Sequence, residues 1–520
     1  MLNRPRSSPA LIAACSAAIG FYGLGALYRS GAIGANALLV LSFIPVAALC
    51  VLRVLVSVPF IAKGETPRLL RVLSMYSIAF AAGLAIGLGA STALNTRINF
   101  GIPDTSLRAV SGVLLEDPRI ISGGRAMAAL SLRESSGDGG LRVSTKGEMP
   151  LIFPEENSVR LREFGRGTVI FAEGTLRKSK STNAAANAAP YLFSAESLHI
   201  VKPASSIERL RTTIRVNLIQ RFNRSSAVDS HTAPWGGDDA SWGGLALALL
   251  IGIRDNLDSG LALQYRNAGC SYILALSGMH LVVLASIITF ILKRPLGLRA
   301  AAITGGIIII LYCFIVGPMP SLIRAVLMYL IGVLAVLGAL RREPLSLLGM
   351  AFLLQIIFSP ASGYSLGFIL SYLALTGILL IGESLNSLFK GTVPAFLLQS
   401  LSASIGAFLA TAGASAWFFT VLHPVCILAS LVMVPLTTVF MIASLVWLGL
   451  DLISPLLSRF ASQPLSLLYT LMEKTVSISG AVPGISANPH AAIWLSLGLS
   501  LFLVWFEHKR RIARNQLARF

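Results

Sequence analysis

The stretch RNAGCSYILALSGMHLVVLASIITFIL, residues 266–292, is apolar enough to lie in lipid, yet it contains Gly269, Ser277 and His280. Runs of about 20 apolar residues are typical of membrane-spanning helices, because lipid offers the backbone no partner outside a helix or a closed barrel. A helix that served only as an anchor would need none of the three. We therefore expect a spanning helix near 269–292 whose small and polar residues face the interior of a helix bundle.

The whole chain shares this apolar character. Of its 520 residues, 55% are hydrophobic and only 12% are charged, and the mean hydropathy is +0.75. Such values exclude a soluble fold of this length and predict a polytopic α-helical membrane protein. The net charge of +19 suits a nucleic-acid partner. Membrane proteins also collect Lys and Arg in cytoplasmic loops, however, and the charge alone favours that second explanation.

Hydropathy divides the chain into five parts. Three apolar runs come first and predict three N-terminal transmembrane helices. The polar region after them carries short alternating strands separated by Gly, Pro, Asn and Ser, which predict a small inserted all-β domain, an OB-like barrel. An amphipathic helix with a linker, a second apolar domain and a basic tail complete the chain. The boundaries that we predict for the five parts are 1–94, 95–206, 207–240, 241–506 and 507–520.

The second apolar domain is predicted to contain eight spans. Residues 242–253 are too few to cross a bilayer, and residues 455–478 contain Arg459, Glu473 and Lys474, so we interpret both segments as re-entrant or interfacial. The basic ends of the chain, NRPR and EHKRRIARNQLARF, are typical of cytoplasmic segments, which places the β domain on the outer face. The eight spans lie near 269–292, 296–316, 320–340, 345–358, 364–383, 395–421, 425–450 and 490–506.

The segment between the two apolar domains, IERLRTTIRVNLIQRFNR, predicts a basic amphipathic helix. Its apolar residues recur at helical spacing opposite five arginines. Such a helix either lies on the membrane surface near phosphates or packs on the barrel. The apolar residues are Ile207, Leu210, Ile214, Leu218 and Phe222.

The residues around the opening stretch resemble the competence domain of the ComEC family, which forms the channel for transforming DNA in the bacterial cytoplasmic membrane. In that family a G-x-R segment precedes a helix of the type AG-x-S-H-L-L-A-I-S-G-L-H. Tyr272 stands where the family often has the first of two histidines, so a role for that imidazole does not transfer. The matching positions here are Gly252, Arg254, Ala268, Gly269, Ser271, Ala275, Ser277, Gly278 and His280.

The resemblance continues through PSLIRAVLMYLIG and REPLSLLGMAFLLQIIFSPASGYSLGFILSYLALTGILL, so that it covers roughly residues 242–505. The ordered series of motifs is more specific than any one of them. The β domain is similar to the family's extracellular OB-type module. The matching positions in these later motifs are Arg324, Ala325, Gly367, Phe368, Leu370, Ser371 and Ala374.

The resemblance implies a channel for single-stranded DNA that works with a cytosolic helicase-type motor, single-strand binders and a DNA receptor. The family commonly continues into a nuclease domain with an H-x-H-x-D-H motif. This sequence lacks that motif, which implies a separate nuclease. The membrane lipid is the other expected partner. A GxxxG match at Gly83 to Gly87 is typical of helix packing or of a homo-oligomer.

Arg254, Arg266 and Arg324 lie at the ends of hydrophobic segments. Arginine meets phosphate charge without losing its proton, although a lone terminal arginine more often extends to lipid headgroups. The family motifs favour contact with DNA for Arg254 and Arg324. The alternative for His280 is an interhelical hydrogen bond. The DNA path that we predict comprises Arg254, Arg266, Ser277, Gly278, His280, Arg324 and Ser371.

Cations in the β domain are a second candidate DNA contact. Arg142, Lys146, Arg177 and Lys178 accompany several strand aromatics, and OB-folds stack single-stranded bases on such rings. Strand aromatics more often belong to a core, which is the alternative. The aromatics are Phe153, Phe164, Phe171, Tyr191 and Phe193.

Two other classes of function remain. A small-molecule or ion transporter would also use helices broken at Gly and Pro, such as those at residues 317–320 and 359–363. A membrane enzyme is disfavoured, because His, Asp and Cys do not cluster. We expect no enzymatic activity, no metal and no cofactor. The sequence contains no Walker A motif, so the chain would not power import itself.

Overall fold

The computed structural model describes residues 9–24, 79–87, 106–120, 125–137, 142–154, 164–178, 191–230, 242–340 and 343–517. Of the three predicted N-terminal spans, the one near 36–60 lies outside the described residues, as does most of the one near 72–94. The described residues include 11–24 of the span near 11–28.

Helices make up most of the described chain, and they continue almost without interruption from residue 242. A π-helical turn, Ile19–Leu24, extends the first helix, and another, Ile378–Gly382, lies within the tenth. The helices are α1 (Pro9–Ala18), α2 (79–87), α3 (Ser206–Ser230), α4 (Trp242–Ile251), α5 (Ser259–Asn267), α6 (Ser271–Leu274), α7 (Gly278–Val316), α8 (Pro320–Leu337), α9 (Pro344–Phe358), α10 (Leu366–Leu388), α11 (Ala395–Phe419), α12 (Cys426–Ile453), α13 (Pro455–Gly480) and α14 (Pro489–Leu517).

Five helices of the described residues are long and apolar enough to cross a bilayer: α7, α8, α10, α11 and α12. The chain is therefore a multi-pass helical membrane protein, as its composition predicts. The last helix, α14, continues across the predicted domain boundary at residue 507.

The longest helix, α7, contains two spans. Its 39 residues would extend about 58 Å, nearly twice the hydrocarbon thickness. At Gly297 the backbone has a φ of 75°, in the left-handed region, and Pro295 just before it lacks an N–H. A methyl group on Gly305 would lie 3.5 Å from Cγ2 of Ile288, so the two halves pack antiparallel around this corner.

The two segments that the sequence assigns to re-entrant or interfacial structure are packed helices, α4 and α13. Neither is among the five helices that are long and apolar enough to cross a bilayer, and their placement relative to the membrane stays a prediction. Every residue of α4 is buried. Helix α13 is continuous and packs lengthwise on α12 after a tight turn at Ser454. Its buried residues recur every three or four positions along the whole helix, because one stripe faces α12. They are Ser458, Ser462, Leu465, Tyr469, Met472 and Val476.

The inserted domain is a sheet of seven strands. Its core strands pair in the order β1-β6-β7-β5-β3, and β3 pairs again with β1. All of these pairings are antiparallel except that between β5 and β7. The strands are β1 (Leu107–Leu114), β2 (Arg119–Ile120), β3 (Ala126–Gly137), β4 (Arg142–Ser144), β5 (Glu148–Ile152), β6 (Val169–Lys178) and β7 (Tyr191–Lys202). A separate two-stranded ribbon joins β8 (Val421–Leu422) to β9 (Ile485–Ser486).

The GxxxG match in α2 serves packing within the chain. Side chains added at Gly83 and Gly87 would collide with the backbone of Ala17 and Phe21 at the end of α1. Small residues let these helices approach closely, which is the common use of this motif in membranes. Of the two predicted uses, the contact therefore favours helix packing.

A second close helix contact joins α10 and α11. A methyl group on Gly406 would lie 2.7 Å from the backbone nitrogen of Gly382 and would also meet the carbonyl oxygen of Gly377. We expect Gly406→Val to lower the free energy of unfolding by about 1–3 kcal/mol, because the added atoms force the helices apart. Titration of the purified protein with SDS in mixed micelles measures this change.

Gly332→Val in α8 is the matched control, since nothing lies within 4 Å of a side chain added there. The control should leave the unfolding free energy nearly unchanged. Equal losses in both variants would contradict the importance of the α10–α11 contact.

Candidate nucleic-acid path

The stretch that predicts a single spanning helix is broken in the middle. Gly269 has a φ of 68° in the turn after α5. The backbone is extended at Ala275, with a ψ of 127°, and at Ser277, with a ψ of 172°. The predicted helix over 269–292 is therefore wrong in its first third, and its polar residues do not share one helical face. Ser277 instead precedes α7, and Gly278 is the first residue of that helix.

Three side chains satisfy the backbone groups of this break. Arg254 donates to the carbonyl oxygen of Leu274 at 3.0 Å. The hydroxyl of Ser321 donates to the carbonyl oxygen of Leu276 at 2.6 Å. The N–H of Ser277 donates to Nδ1 of His280 at 3.0 Å. Because an unpaired backbone group inside a bilayer costs several kcal/mol, the motif residues make a stable break possible.

Arg324 is the central side chain of the site. It lies four residues after the start of α8, about 6 Å along the helix axis, and is only 6% exposed. Its Nη1 donates to the carbonyl oxygen of Ser371 at 2.5 Å, and its guanidinium lies 5.7 Å from the ring centre of Tyr372. A methyl group on Gly278 would lie 3.0 Å from Nη2. The arginine therefore joins α8 to α10 and to the start of α7.

The charge of Arg324 has no counter-ion within the described part of the chain, where no carboxylate forms an ion pair with it. Its Nε has no hydrogen-bond partner. Nδ1 of His280 accepts from Ser277, so the proton of the neutral ring is on Nε2, and this atom also lacks a partner although the residue is only 1% exposed. Two buried donors near the start of α7 thus have no acceptor, which favours an anion as their ligand.

The structure brings together five of the seven predicted path residues: Ser277, Gly278, His280, Arg324 and Ser371. Ser371 contributes its main-chain oxygen to this cluster. Nδ1 of His280 bonds to its own helix start, and the described residues offer no partner for the interhelical hydrogen bond that was the alternative.

The other two predicted arginines lie apart from this cluster. Arg254 is exposed and supports the end of α6 through Leu274. Arg266 is exposed in the last turn of α5 and lies near His423, which follows β8. Burial and the positive charge of Arg266 lower the pKa of His423 below its usual value. Arg266 is therefore an exposed arginine outside the site, whereas Arg324 is buried between helices.

Sequence reasoning missed a buried polar pair beside Arg324. The hydroxyl of Tyr372 donates to Oε1 of Gln355 at 2.9 Å, and Nε2 of Gln355 donates to the carbonyl oxygen of Pro320 at 3.0 Å. A single glutamine in the apolar run FLLQIIF was the available signal.

Tyr272, the departure from the family pattern, hydrogen-bonds to Ser430 at 2.7 Å.

Arginines of α3 hold the sheet domain to the end of α7. The side chain of Arg211 is 4% exposed and pairs with Asp117 at 2.9 Å. Its Nε donates to the carbonyl oxygen of Phe314 at 2.9 Å. Arg215 donates to the carbonyl oxygen of Val316 at 2.7 Å and pairs with Asp117 at 3.3 Å. Cations at a helix C-terminus also interact favourably with the helix dipole.

The predicted placement of these arginines against membrane phosphates is therefore wrong, because carbonyl and carboxylate oxygens of the protein already occupy them. The alternative was a helix packed on the barrel, whereas most of α3 packs on α4, α7 and α13 of the helix bundle. Further along the helix, Arg221 pairs with Asp451 of α12 at 2.6 Å. Phe222 is buried against Trp242 and Trp447.

The predicted cations of the sheet domain do not form one cluster. The guanidinium of Arg142 lies 5.8 Å from the ring centre of Phe171 and 3.9 Å from a carboxylate oxygen of Glu134. Arg177 and Lys178 lie at the other end of the sheet pairing, where the end of β6 pairs with the start of β7. Lys146 is exposed after β4. Three of the five aromatics, Phe153, Phe164 and Phe193, are buried in the domain core, as the alternative predicted.

A basic concavity that the sequence did not indicate lies at the other end of β6. Its volume is about 480 Å³, and its lining includes Arg133, Lys202 and Arg209 together with backbone near Gly167 and Ser205. These cations come from three separate elements, so no sequence pattern joins them. The concavity therefore brings three cations together, which the cations predicted from sequence do not do.

Comparisons with known proteins agree with this architecture. A family model described as "Competence protein" matches residues 249–511, half of the chain. ComE operon protein 3 of Bacillus subtilis (strain 168) is 27% identical over 165 residues, which are 31% of this chain and 21% of that protein. A protein of Aquifex aeolicus (strain VF5) described as uncharacterized is 29% identical over 234 residues, 44% of this chain and 51% of that one.

The chain thus spans about a fifth and about half of the lengths of these two relatives. No solved structure matches it. The family match begins at α4, includes the broken helix and Arg324, and extends into α14. The chain is therefore a member of the ComEC family of competence proteins.

Proposed function

We propose that this chain forms the channel through which one strand of DNA crosses the cytoplasmic membrane during natural transformation. Membership of the competence family and the multi-pass helical architecture support this proposal. The phosphate backbone carries one negative charge per nucleotide, so a path through lipid must offer positive charge along its length.

The observation that carries the proposal is the environment of Arg324. A buried guanidinium in a low-dielectric bundle is costly unless an anion or a set of acceptors compensates it. Two acceptors are present here, the Ser371 carbonyl and the Tyr372 ring, while Nε has none. The start of α7 lies next to it at Gly278, and the N-terminus of a helix favours phosphate. A phosphate group of the passing strand supplies the missing charge.

The sheet domain provides the entry. We infer that it is an OB-like barrel, because its pairing order closes on itself and includes one parallel pair. Its basic concavity suits the DNA backbone, and α3 joins the domain to the bundle through Arg211. An incoming strand would contact the concavity first and the Arg324 site about one helical turn inside the bundle.

The channel guides the strand passively and is not an enzyme in this proposal. Its partners are single-stranded DNA, membrane lipid, a DNA receptor, a cytosolic helicase-type motor and a separate nuclease. These partners follow from the family resemblance.

A small-molecule or ion transporter is the second candidate, and the broken α6–α7 segment favours it, because transporters bind substrates at such breaks. An anionic substrate would satisfy the same donors. The two functions differ in the size of the cargo, since a transporter would not carry a polymer.

Deletion of the gene in a host shown to be transformable tests the proposal. Labelled DNA should then bind the cell surface as before but fail to reach the cytoplasm, and expression of the chain from a plasmid should restore entry. Undiminished entry into the cytoplasm of the deletion strain would contradict the channel function.

A further inference from the structure

The first two turns of α3 present an apolar surface that the described part of the protein does not cover. Ile207 is 66% exposed and Leu210 is 62% exposed, although the same helix buries Phe222 completely at its other end. Leu210 directly precedes Arg211 and Ile207 lies one helical turn before it, so both are close to the junction with α7. The question is what contacts them in the membrane-embedded protein.

The helical positions of these residues show in which direction the apolar surface faces. At 100° per residue, positions 207, 215 and 222 lie within about 40° of position 211 on the helix circumference. Positions 211, 215 and 222 all contact the bundle. Ile207 therefore continues the side of α3 that faces the bundle, about 6 Å beyond Arg211 along the axis. Position 210 borders this side.

The neighbouring part of the bundle faces lipid. Arg211 donates to the carbonyl oxygen of Phe314, and the side chains of Phe314 and Leu311 in this last stretch of α7 are exposed. The same is true of Ile307 and Ile310 one turn earlier. Because α7 crosses the membrane, these side chains contact acyl chains. Beyond the end of α7, α3 extends over that lipid with Ile207 directed toward it.

From this geometry we propose that Ile207 and Leu210 insert into the bilayer surface and form an interfacial lipid contact that fixes the sheet domain to the membrane. This contact is independent of whether the chain conducts DNA. It also differs from a basic helix lying on phosphates, because its two apolar side chains enter the lipid while Arg211 and Arg215 remain bound to the protein. Interfacial helices of this kind bury their apolar side chains about 5–10 Å below the headgroup level.

Spin-label accessibility in the full chain tests the proposal. Nitroxide labels on Ile207→Cys, Leu210→Cys and Thr213→Cys are compared in nanodiscs, after the five native cysteines have been replaced by alanine. Around α3, Ile207, Leu210 and Thr213 follow one another at about 40°, 100° and 160° from Arg211. Thr213 is the control, because it is exposed and lies farthest of the three from the side that faces the bundle. Labels at 207 and 210 should be accessible to oxygen and shielded from a water-soluble nickel chelate, and the label at 213 should show the reverse.

Two results would overturn the proposal. Access of the nickel chelate to 207 and 210 equal to that at 213 would mean that water covers the surface. Shielding of these labels from both reagents would mean that protein covers it. Should the cysteine-free chain fail to fold, p-benzoylphenylalanine at the same three positions of the native chain provides a second measurement. Photolysis should then yield lipid adducts at 207 and 210 but not at 213, and the absence of that difference would equally reject the proposal.

Discussion

Replacement of Arg324 by Gln is expected to lower the entry of labelled DNA into the cytoplasm by about tenfold or more, since a hydrogen bond to a charged group contributes about 1.5–3 kcal/mol and each 1.4 kcal/mol is a factor of ten. Gln fills much of the same space and can still donate to the Ser371 carbonyl oxygen, but it offers a phosphate no charge. The variant therefore separates the electrostatic role of Arg324 from its packing role.

Two further variants make the result interpretable. Arg324→Lys retains the charge but not the planar fork, so entry should fall less than in the Gln variant. Arg294→Gln removes an exposed arginine at the corner of α7 and should leave entry unchanged. All three proteins must reach wild-type levels in the membrane. Normal entry in a well-expressed Arg324→Gln strain would assign this arginine a purely structural role and would remove the main support for an anion path.

The positions of the membrane helices could be predicted from sequence, because span length and apolar composition are local properties. The predicted spans near 320–340, 395–421 and 425–450 match α8, α11 and α12 closely. The break before α7 could not be predicted in this way. It depends on Arg254, which is 20 residues from its partner, and on Ser321, which is 45 residues from its partner. Neither separation leaves a periodic signal.

The α3 helix illustrates a different limit. Its periodicity correctly predicted a helix, yet the pattern could not say which side meets the protein, since Arg211 is buried while Ile207 and Leu210 are exposed. The decisive partner of Arg211 is Asp117, which lies 94 residues earlier in the sheet domain. Its other partners are main-chain oxygens, which carry no sequence signature at all. The same holds for Arg324 and the Ser371 carbonyl oxygen, where only the family motif marked the arginine.

The junction of three structural units at Arg211 carries the second large prediction. Arg211→Met retains most of the aliphatic volume but leaves Asp117 without its closest cation and the carbonyl oxygen of Phe314 without its donor. Removing one partner of a buried ion pair costs about 3–5 kcal/mol, and the partial exposure of Asp117 places the expected loss at the lower end, about 3 kcal/mol. SDS titration in mixed micelles measures this change in unfolding free energy.

A double-mutant cycle and a nearby control give this prediction its specificity. In the background of Asp117→Asn, the Arg211→Met change should cost much less, because the two residues share one interaction. Arg209→Met removes an exposed arginine whose guanidinium contacts only Ser206 among the hydrogen bonds of the described residues, so its effect should stay within about 0.5 kcal/mol. Equal losses from Arg209→Met and Arg211→Met, or full additivity with Asp117→Asn, would contradict the junction. Strong coupling would instead mean that the contact between Arg211 and Asp117 carries most of the junction between the sheet domain and α7, with Arg215 as its second cation.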